Sequence, residues 1–159
     1  MDMNDAFPLH QLVTHRRVEF SDTDMEGIIH FSRFFIYMET AEHQFMNALG
    51  TSIAAHIDGI RLGWPRTAVG CEFVRPVRFE DEVEIRLFVL RKGARSLTYG
   101  CEFRHGGELI ARGQSTAVCC AMKDEGGLRS IDIPTSLAQR IAETTEEEKT
   151  RWRSPIRAL

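Results

Sequence analysis

The sequence has 159 residues, and its 20 basic and 23 acidic side chains give a net charge of −3. This length fits one domain with a sizeable core, and 43% hydrophobic content is ordinary for a soluble globular protein. The weak charge favours neither nucleic acid nor an anionic membrane as a partner. No apolar run approaches the roughly 20 residues that cross a bilayer. The acidic start, Met1 to Asp5, is unlike a signal peptide, so we expect a cytoplasmic protein.

The four cysteines are Cys71, Cys101, Cys119 and Cys120. None belongs to a C-x-x-C pair, and all lie in strand-like segments without histidines at ligand spacing. The sequence therefore predicts reduced thiols and no metal site.

The first elements in chain order are a strand and a long helix. Strand-like residues run from Val13 to Phe20, with Val18 and Phe20 expected on one face. After the polar stretch 21–27, apolar residues recur every three or four positions, and Gly50 follows where a glycine ends a helix. These residues predict a helix of about five turns over 32–49. The apolar positions are Phe34, Phe35, Met38, Ala41, Phe45, Met46 and Leu49.

The segment 51–66 is predicted to be irregular, and beyond it the apolar period changes to two. Three strands are predicted around residues 69–73, 83–89 and 97–103. A hairpin turn at 105–107 then leads into a fourth strand, Glu108 to Met122. Pro134 suits the first turn of a short helix. We predict a single domain over 1–144 and a charged, partly disordered tail over 145–159.

One face of the fourth strand carries only small side chains, which lets a helix approach closely. Its members are Ala111, Gly113, Ser115, Ala117, Cys119 and Ala121. The long helix, with bulky Phe and Met residues, is the natural partner for this face. The chain is therefore expected to form an α+β layer, a helix wrapped by antiparallel strands. One such layer leaves a face and edges uncovered, so we also expect a dimer.

The segment Asp22-Thr23-Asp24-Met25-Glu26-Gly27 has two chemical interpretations. As a calcium loop it fails, because Arg33 stands at the twelfth position, where a bidentate glutamate is needed. The other interpretation is a carboxylate beside a helix N-terminus, whose unpaired N–H groups can hold an oxyanion. Such a carboxylate can attack a carbonyl or activate water against it. A bracing role in the loop is favoured for Asp22, whereas the residue pattern alone leaves Asp24 open between bracing and catalysis.

The run from Arg17 to Phe31, RVEFSDTDMEGIIHF, resembles the signature of the 4-hydroxybenzoyl-CoA thioesterase family, including its Tol-Pal-associated branch. The likeness continues in order over about 120 residues, through Leu49-Gly50, Phe79 to Val83 and Arg95-Ser96-Leu97, and it ends near Pro134. This resemblance implies a hotdog fold. It also implies a homodimer that can pair into a tetramer, with active sites shared across the dimer interface. The activity implied is acyl-CoA hydrolysis, with coenzyme A as part of the substrate and no other cofactor.

The resemblance assigns roles to individual residues. Asp24 matches the catalytic aspartate, Gly27 belongs to the same catalytic loop, and Phe31 matches the position whose backbone N–H polarises the thioester carbonyl. Glu39 falls where the family has an acidic residue that reads the acyl group. The alternative for Glu39 is a solvent-facing or intersubunit salt-bridging side chain.

Two features differ from the family pattern or stay open. The Tol-Pal-associated branch has histidine at the position of Phe31, so His30 does not inherit that role. His30 is a candidate substrate-binding residue that hydrogen-bonds near the active site, and a packing histidine is the alternative. Around Gly93, the turn with Arg91, Lys92, Arg95 and Ser96 matches one that binds CoA phosphates, which suits arginine chemistry. An ordinary solvated basic turn is the alternative, and Arg95 is favoured for binding.

Two other functions remain as alternatives. The first is a non-catalytic acyl-CoA-binding module, although a buried carboxylate near a carbonyl gives a binder no advantage. The second is a thioesterase that acts on acyl carrier protein, which a basic collar beside the pocket would favour.

Overall fold

The computed structural model describes residues 7–153, and a long helix and an antiparallel sheet organise it. The helices are α1 (Phe31–Ala48), α2 (Thr135–Ala138) and α3 (Glu146–Arg153). The strands are β1 (Gln11–Arg17), β2 (His56–Ile57), β3 (Ile60–Gly63), β4 (Arg66–Phe73), β5 (Glu82–Lys92), β6 (Ser96–His105), β7 (Glu108–Val118), β8 (Cys120–Met122) and β9 (Leu128–Ser130).

Helix α1 lies within one residue at each end of its predicted bounds. Its apolar stripe is buried, with Phe34, Met38 and Phe45 at most 3% exposed. At its end Gly50 has φ 75°, and the Thr51 N–H donates to the Met46 carbonyl at 3.1 Å, which satisfies an orphan helix carbonyl. The predicted helix is confirmed.

The main sheet has five antiparallel strands in the order β1-β5-β6-β7-β4, and α1 packs across one face. The predicted turn joins β6 to β7, with His105 opposite Glu108 and only Gly106 and Gly107 between them. Alternate residues of β5 and β6, such as Val83 and Leu97, are fully buried beneath α1. The α+β hotdog architecture is confirmed.

The small-residue face of β7 admits α1 as expected. A Cβ placed on Gly113 would overlap Met38 Sδ, so a larger residue fits there only if the Met38 side chain moves. Ala111 and Ala117 are also fully covered.

Three predicted boundaries are wrong. The first strand ends at Arg17, and the 3₁₀ turn Phe20–Asp22 leaves Phe20 77% exposed while Val18 is buried. The fourth strand stops at Val118, and β8 joins a second sheet, ordered β2-β3-β8-β9. The segment 51–66, expected to be irregular, supplies β2 and β3 to that second sheet.

Part of the charged tail is helical and packs on the outer face of the main sheet. The Trp152 ring of α3 lies 6.3 Å from the Phe88 ring, measured between centroids. The Arg112 guanidinium lies 5.1 Å from the centroid of the Trp152 ring. Gly100 leaves the space that the indole fills, because a Cβ there would lie 2.8 Å from it. Residues 154–159 of the predicted tail lie outside the described residues, and the domain boundary at 144 stays a prediction.

The cysteines are all free thiols. Burial raises the pKa of Cys71 to about 12 and that of Cys119 to about 11, and it raises the pKa of Cys101 well above the usual value. These thiols therefore stay protonated and unreactive at neutral pH.

Candidate active site

Asp24 occupies the first position of a tight turn between two short paired segments. Its N–H donates to the Ile28 carbonyl at 3.0 Å, the Gly27 N–H donates back to the Asp24 carbonyl at 3.0 Å, and Thr23 bridges Ile29. Gly27 has φ 72°, a left-handed conformation that glycine adopts without a Cβ penalty. The sequence Asp-x-x-Gly thus folds back on itself and holds Asp24 in place.

The Asp24 carboxylate keeps one oxygen available. Oδ1 accepts the Glu26 N–H at 2.9 Å, which closes an Asx turn. Among the described residues, Oδ2 has no hydrogen-bond donor, and the side chain is half-buried. One oxygen therefore orients the carboxylate while the other is open to a ligand or water.

Asp22 has the bracing role that the sequence favoured for it. It is 2% exposed, and its Oδ2 accepts the Tyr37 hydroxyl at 2.6 Å and the Glu19 N–H at 3.0 Å. Arg33 lies 3.3 Å from Oδ1. Burial, and then the bond to Asp22, raise the pKa of Tyr37. With its oxygens occupied, Asp22 ties the loop to α1.

The arm of the turn that follows Asp24 runs directly into the start of α1. The His30 N–H donates to the Asp22 carbonyl at 2.8 Å, and the helix begins at Phe31. His30 caps this helix, because its Nδ1 accepts the Ser32 N–H at 3.3 Å and lies 2.7 Å from Ser32 Oγ. The Phe31 N–H makes no hydrogen bond within residues 7–153, and its ring is 59% exposed. A free donor at the positive end of α1 therefore follows the Asp24 turn.

Glu39 lies two turns further along α1 and is accessible. Its side chain is 57% exposed, and Oε1 is 3.9 Å from His43 Nε2. It also lines a cavity between α1 and β4.

The basic turn between β5 and β6 does not lie beside Asp24 within one chain. The Asp24 turn contacts Arg78, just before β5, whereas Arg91 and Arg95 lie at the other end of that strand. Lys92 Nζ donates hydrogen bonds to the Ala138 and Ile141 carbonyls at 3.1 and 2.7 Å. In the same turn, Arg95 is exposed and pairs with Asp132 at 2.6 Å, while the Ser96 carbonyl accepts the Gly93 N–H at 2.8 Å.

Sequence reasoning missed a buried polar cluster behind the cavity. Glu42 is 1% exposed, bonds Ser115 and pairs with Arg66, and burial raises the pKa of its carboxyl. The signal was present, because Glu42 falls on the apolar stripe of α1 between Met38 and Phe45.

The described chain, residues 7–153, contains no cluster of three or more metal-ligating side chains and no helix long and apolar enough to span a membrane.

Together, the fold and this site define a hotdog protein with a carboxylate held beside a free helix N-terminus. The chain belongs to the thioesterase-like superfamily, whose family profile matches residues 18–141.

Solved structures and curated proteins agree with this membership. A gentisyl-coenzyme A thioesterase structure is 32% identical with a TM-score of 0.70, and the match covers 79% of this chain and 98% of that one. The 1,4-dihydroxy-2-naphthoyl-CoA hydrolase of Parasynechococcus marenigrum is 31% identical over 87 residues, which is 50% of this chain. The chain spans less than two thirds of the curated relatives it matches: 57% of that hydrolase and 58% of an Aquifex aeolicus protein, 32% identical over 75 residues.

Proposed function

We propose that the protein hydrolyses an acyl-CoA thioester to the free acid and coenzyme A. The observation that carries this proposal is the open oxygen of Asp24 on a turn whose second arm ends at the free Phe31 N–H. A thioester carbonyl at Phe31 would have its developing oxyanion stabilised by that donor and by the helix dipole. The same placement would bring its carbon towards Asp24.

The chemistry needs few groups. As a general base, Asp24 takes a proton from water, the hydroxide adds to the carbonyl carbon, and the C–S bond then breaks to release the thiolate. As a nucleophile, Asp24 adds to the carbon itself, the thiolate leaves, and water hydrolyses the resulting anhydride. An ordinary thiol has a pKa of about 8.5, so its thiolate leaves without strong acid assistance. This explains why a single carboxylate can suffice.

We also propose that two protomers build each site. The exposed turn with Arg91 and Arg95 suits the CoA phosphates, but it stands at the far end of β5 from its own Asp24. A partner related by a two-fold axis can bring its basic turn to this Asp24. Lys92 is a weaker candidate, because backbone carbonyls already engage its ammonium group.

The acyl group is proposed to be a hydroxylated aromatic one. The names of the gentisyl-CoA and dihydroxynaphthoyl-CoA relatives support this class. The accessible carboxylate of Glu39, on the cavity beside α1, is a suitable acceptor for a phenolic hydroxyl.

Acyl carrier protein is less well supported as the thiol carrier. Two arginines near the Asp24 turn are matched by carboxylates, with Arg17 3.4 Å from Glu80 and Arg33 3.3 Å from Asp22, while Arg78 donates to the Gly27 carbonyl at 3.4 Å. Such paired charges do not form the basic collar that an acidic carrier protein would require. Equal concentrations of CoA and carrier-protein thioesters in one assay should give faster hydrolysis of the CoA ester.

The decisive variant is Asp24→Asn. It should lower kcat by about 10²–10⁴-fold, because a positioned base or nucleophile contributes on that order, while CoA binding measured by calorimetry stays nearly unchanged. Glu26→Gln, an exposed carboxylate on the same turn, is the matched control and should retain full activity. Thiol release from a panel of acyl-CoAs measures both variants. Near-normal hydrolysis by Asp24→Asn would refute the assignment, and tight binding without hydrolysis by the wild type would indicate a binding module.

A further inference from the structure

The cavity of about 210 Å³ between α1 and β4 has apolar walls and a polar end. Phe35, Ile36, Met38 and Val69 form the walls. Glu39, Glu42, Arg66 and Ser115 form the polar part. This volume is below the roughly 300 Å³ at which pockets for drug-sized ligands begin, so it suits one ring or a short chain.

The polar end is built around a buried ion pair. The Glu42 carboxylate accepts the Ser115 hydroxyl and one N–H of Arg66, whose other terminal nitrogen donates to the Trp64 carbonyl at 2.7 Å. Burial raises the pKa of Glu42, and the Arg66 charge opposes that rise. A buried ion pair is rarely more stabilising than apolar side chains of the same size. Fold stability alone therefore gives little reason for this pair.

Hydrogen-bonding capacity remains unused at this end. A guanidinium has five N–H donors. The Arg66 side chain lines the cavity and is 26% exposed, and two of its nitrogens already donate hydrogen bonds. Tyr99 is 1% exposed, and its hydroxyl has no partner among residues 7–153. Tyr99 does not itself line the cavity, but it stands opposite Ser115, which does, in the pairing of β6 with β7. The Glu42 and Arg66 charges both influence the Tyr99 pKa, which burial raises. A buried hydroxyl without a partner destabilises the fold, so a ligand or water is expected to accept a hydrogen bond from it.

We propose that this cavity receives the far end of the acyl group, and that Arg66 and Tyr99 donate hydrogen bonds to an oxygen carried there. This inference rests on the proposed function and names two specificity residues for it.

Charge further restricts the acyl group. Two carboxyl groups, those of Glu39 and Glu42, line the cavity with a single guanidinium, that of Arg66, so a terminal carboxylate on the acyl group would be poorly matched there. An uncharged hydroxyl, ether or carbonyl oxygen accepts from Arg66 without that mismatch. The preferred substrate is thus an uncharged acyl group with a distal oxygen.

The position of the cavity along α1 fits this role. Phe35, at its near end, stands one turn after Phe31, about 6 Å at 1.5 Å per residue, and Glu39 stands about 12 Å along the same axis. A medium-length chain can reach this far within one protomer. A single ring is shorter than this distance, so an aromatic acyl group would require Asp24 and the cavity to come from different protomers.

Matched pairs of substrates test whether the enzyme prefers an acyl group that carries a distal oxygen. One pair is 4-hydroxybenzoyl-CoA and 4-methylbenzoyl-CoA, and the other is 8-hydroxyoctanoyl-CoA and nonanoyl-CoA. The wild type should favour the oxygen-bearing member of at least one pair by about tenfold or more in kcat/KM, the scale of a hydrogen bond to a charged donor. Glutaryl-CoA should be a poor substrate.

The double variant Glu42→Leu with Arg66→Leu removes both charges and leaves neither unpaired. It should lose the preference for the oxygen-bearing member of each pair, measured as the ratio of the two kcat/KM values. No preference in either pair, or a preference that survives the double variant, would overturn the proposal.

The Tyr99→Phe variant distinguishes a binding role of the hydroxyl from a structural one, because only a binding role changes KM. A hydroxyl that only packs would leave KM unchanged when removed. A hydroxyl that binds the acyl oxygen should raise KM for the oxygen-bearing substrate alone, while the melting temperature without ligand stays equal or rises. An unchanged KM would exclude Tyr99 from the site. The two failures are distinguishable. The proposed function fails if Asp24→Asn hydrolyses acyl-CoA at a near-normal rate, whereas this inference alone fails if Asp24→Asn is slow and the wild type shows no preference for oxygen.

Discussion

Asp22 and Asp24 stand two positions apart, yet their carboxylates have different surroundings. Asp22 is buried among a hydroxyl, a backbone N–H and a guanidinium, while Asp24 is half-buried with one open oxygen. A carboxylate with all its bonds made inside the fold stabilises that fold, and one with an open oxygen can act on a ligand. Replacing Asp22 should therefore lower the stability of the fold, whereas replacing Asp24 should lower activity.

Asp22→Ala is expected to lower the free energy of unfolding by about 3 kcal/mol, because Tyr37 and Arg33 lose a buried charged partner. Urea unfolding measures this loss. Glu26→Ala, on the exposed part of the same loop, should change stability by less than about 0.5 kcal/mol. If Asp22→Ala unfolded at the wild-type urea concentration, the bracing role would be wrong.

For single residues, the sequence could predict which side chain has a chemical role but not which distant side chains surround it. The spacing of Asp24 before a helix start was sufficient to predict a carboxylate beside free N–H groups. Glu42 was missed because its partners, Arg66 and Ser115, are 24 and 73 positions away in sequence. The pair exists only once β4 and β7 lie under α1, so no local pattern indicates it.

The contact between α1 and β7 shows how one position controls the packing of two elements. Gly113 lies under Met38 with no room for a Cβ, whereas Gly70, on the neighbouring strand β4, has open space where a Cβ would stand. Both glycines have ordinary φ values, so packing and not backbone strain distinguishes them.

Gly113→Ala should therefore destabilise the protein by about 1–3 kcal/mol, the usual cost of overpacking a core. The matched variant Gly70→Ala should be nearly neutral. Thermal unfolding of the two proteins gives the comparison, and Met38→Ala added to Gly113→Ala should recover part of the loss. Equal melting temperatures for the two single variants would contradict this packing account.

Elements with a strong period were predictable, and those set by tertiary contacts were not. The stripe of α1 and the alternation in β5 and β6 indicate buried faces directly. The break after Val118 has no local signal, because β8 forms by pairing with β3, about 60 residues earlier in the chain. Likewise, α3 has no buried residue, and it packs through Trp152, whose ring occupies the space that the missing side chain of Gly100 leaves. No local pattern in the sequence predicts this contact.

For the whole molecule, the exposed edge of the main sheet is the feature that most affects function. Strand β4 is paired only with β7 within the described chain, and Val69 and Phe73 on it are 54% and 50% exposed. An exposed edge with apolar side chains is a template for pairing with a second chain. The proposed site also requires a second chain, because β5, 11 residues long, separates Asp24 from the basic turn by about 35 Å at 3.3 Å per residue.

Gly70→Glu tests both requirements in one protein. Its side chain has space within the fold, but its charge should oppose pairing of β4 with another copy. Sedimentation velocity should find the wild type as a dimer or tetramer and the variant mainly as a monomer, with KM for acyl-CoA raised at least about tenfold. Leu128→Glu, on an exposed strand of the second sheet, is the control and should remain oligomeric and active. A fully active monomeric variant would show that one chain contains the whole site, and the basic turn would then be an ordinary solvated one.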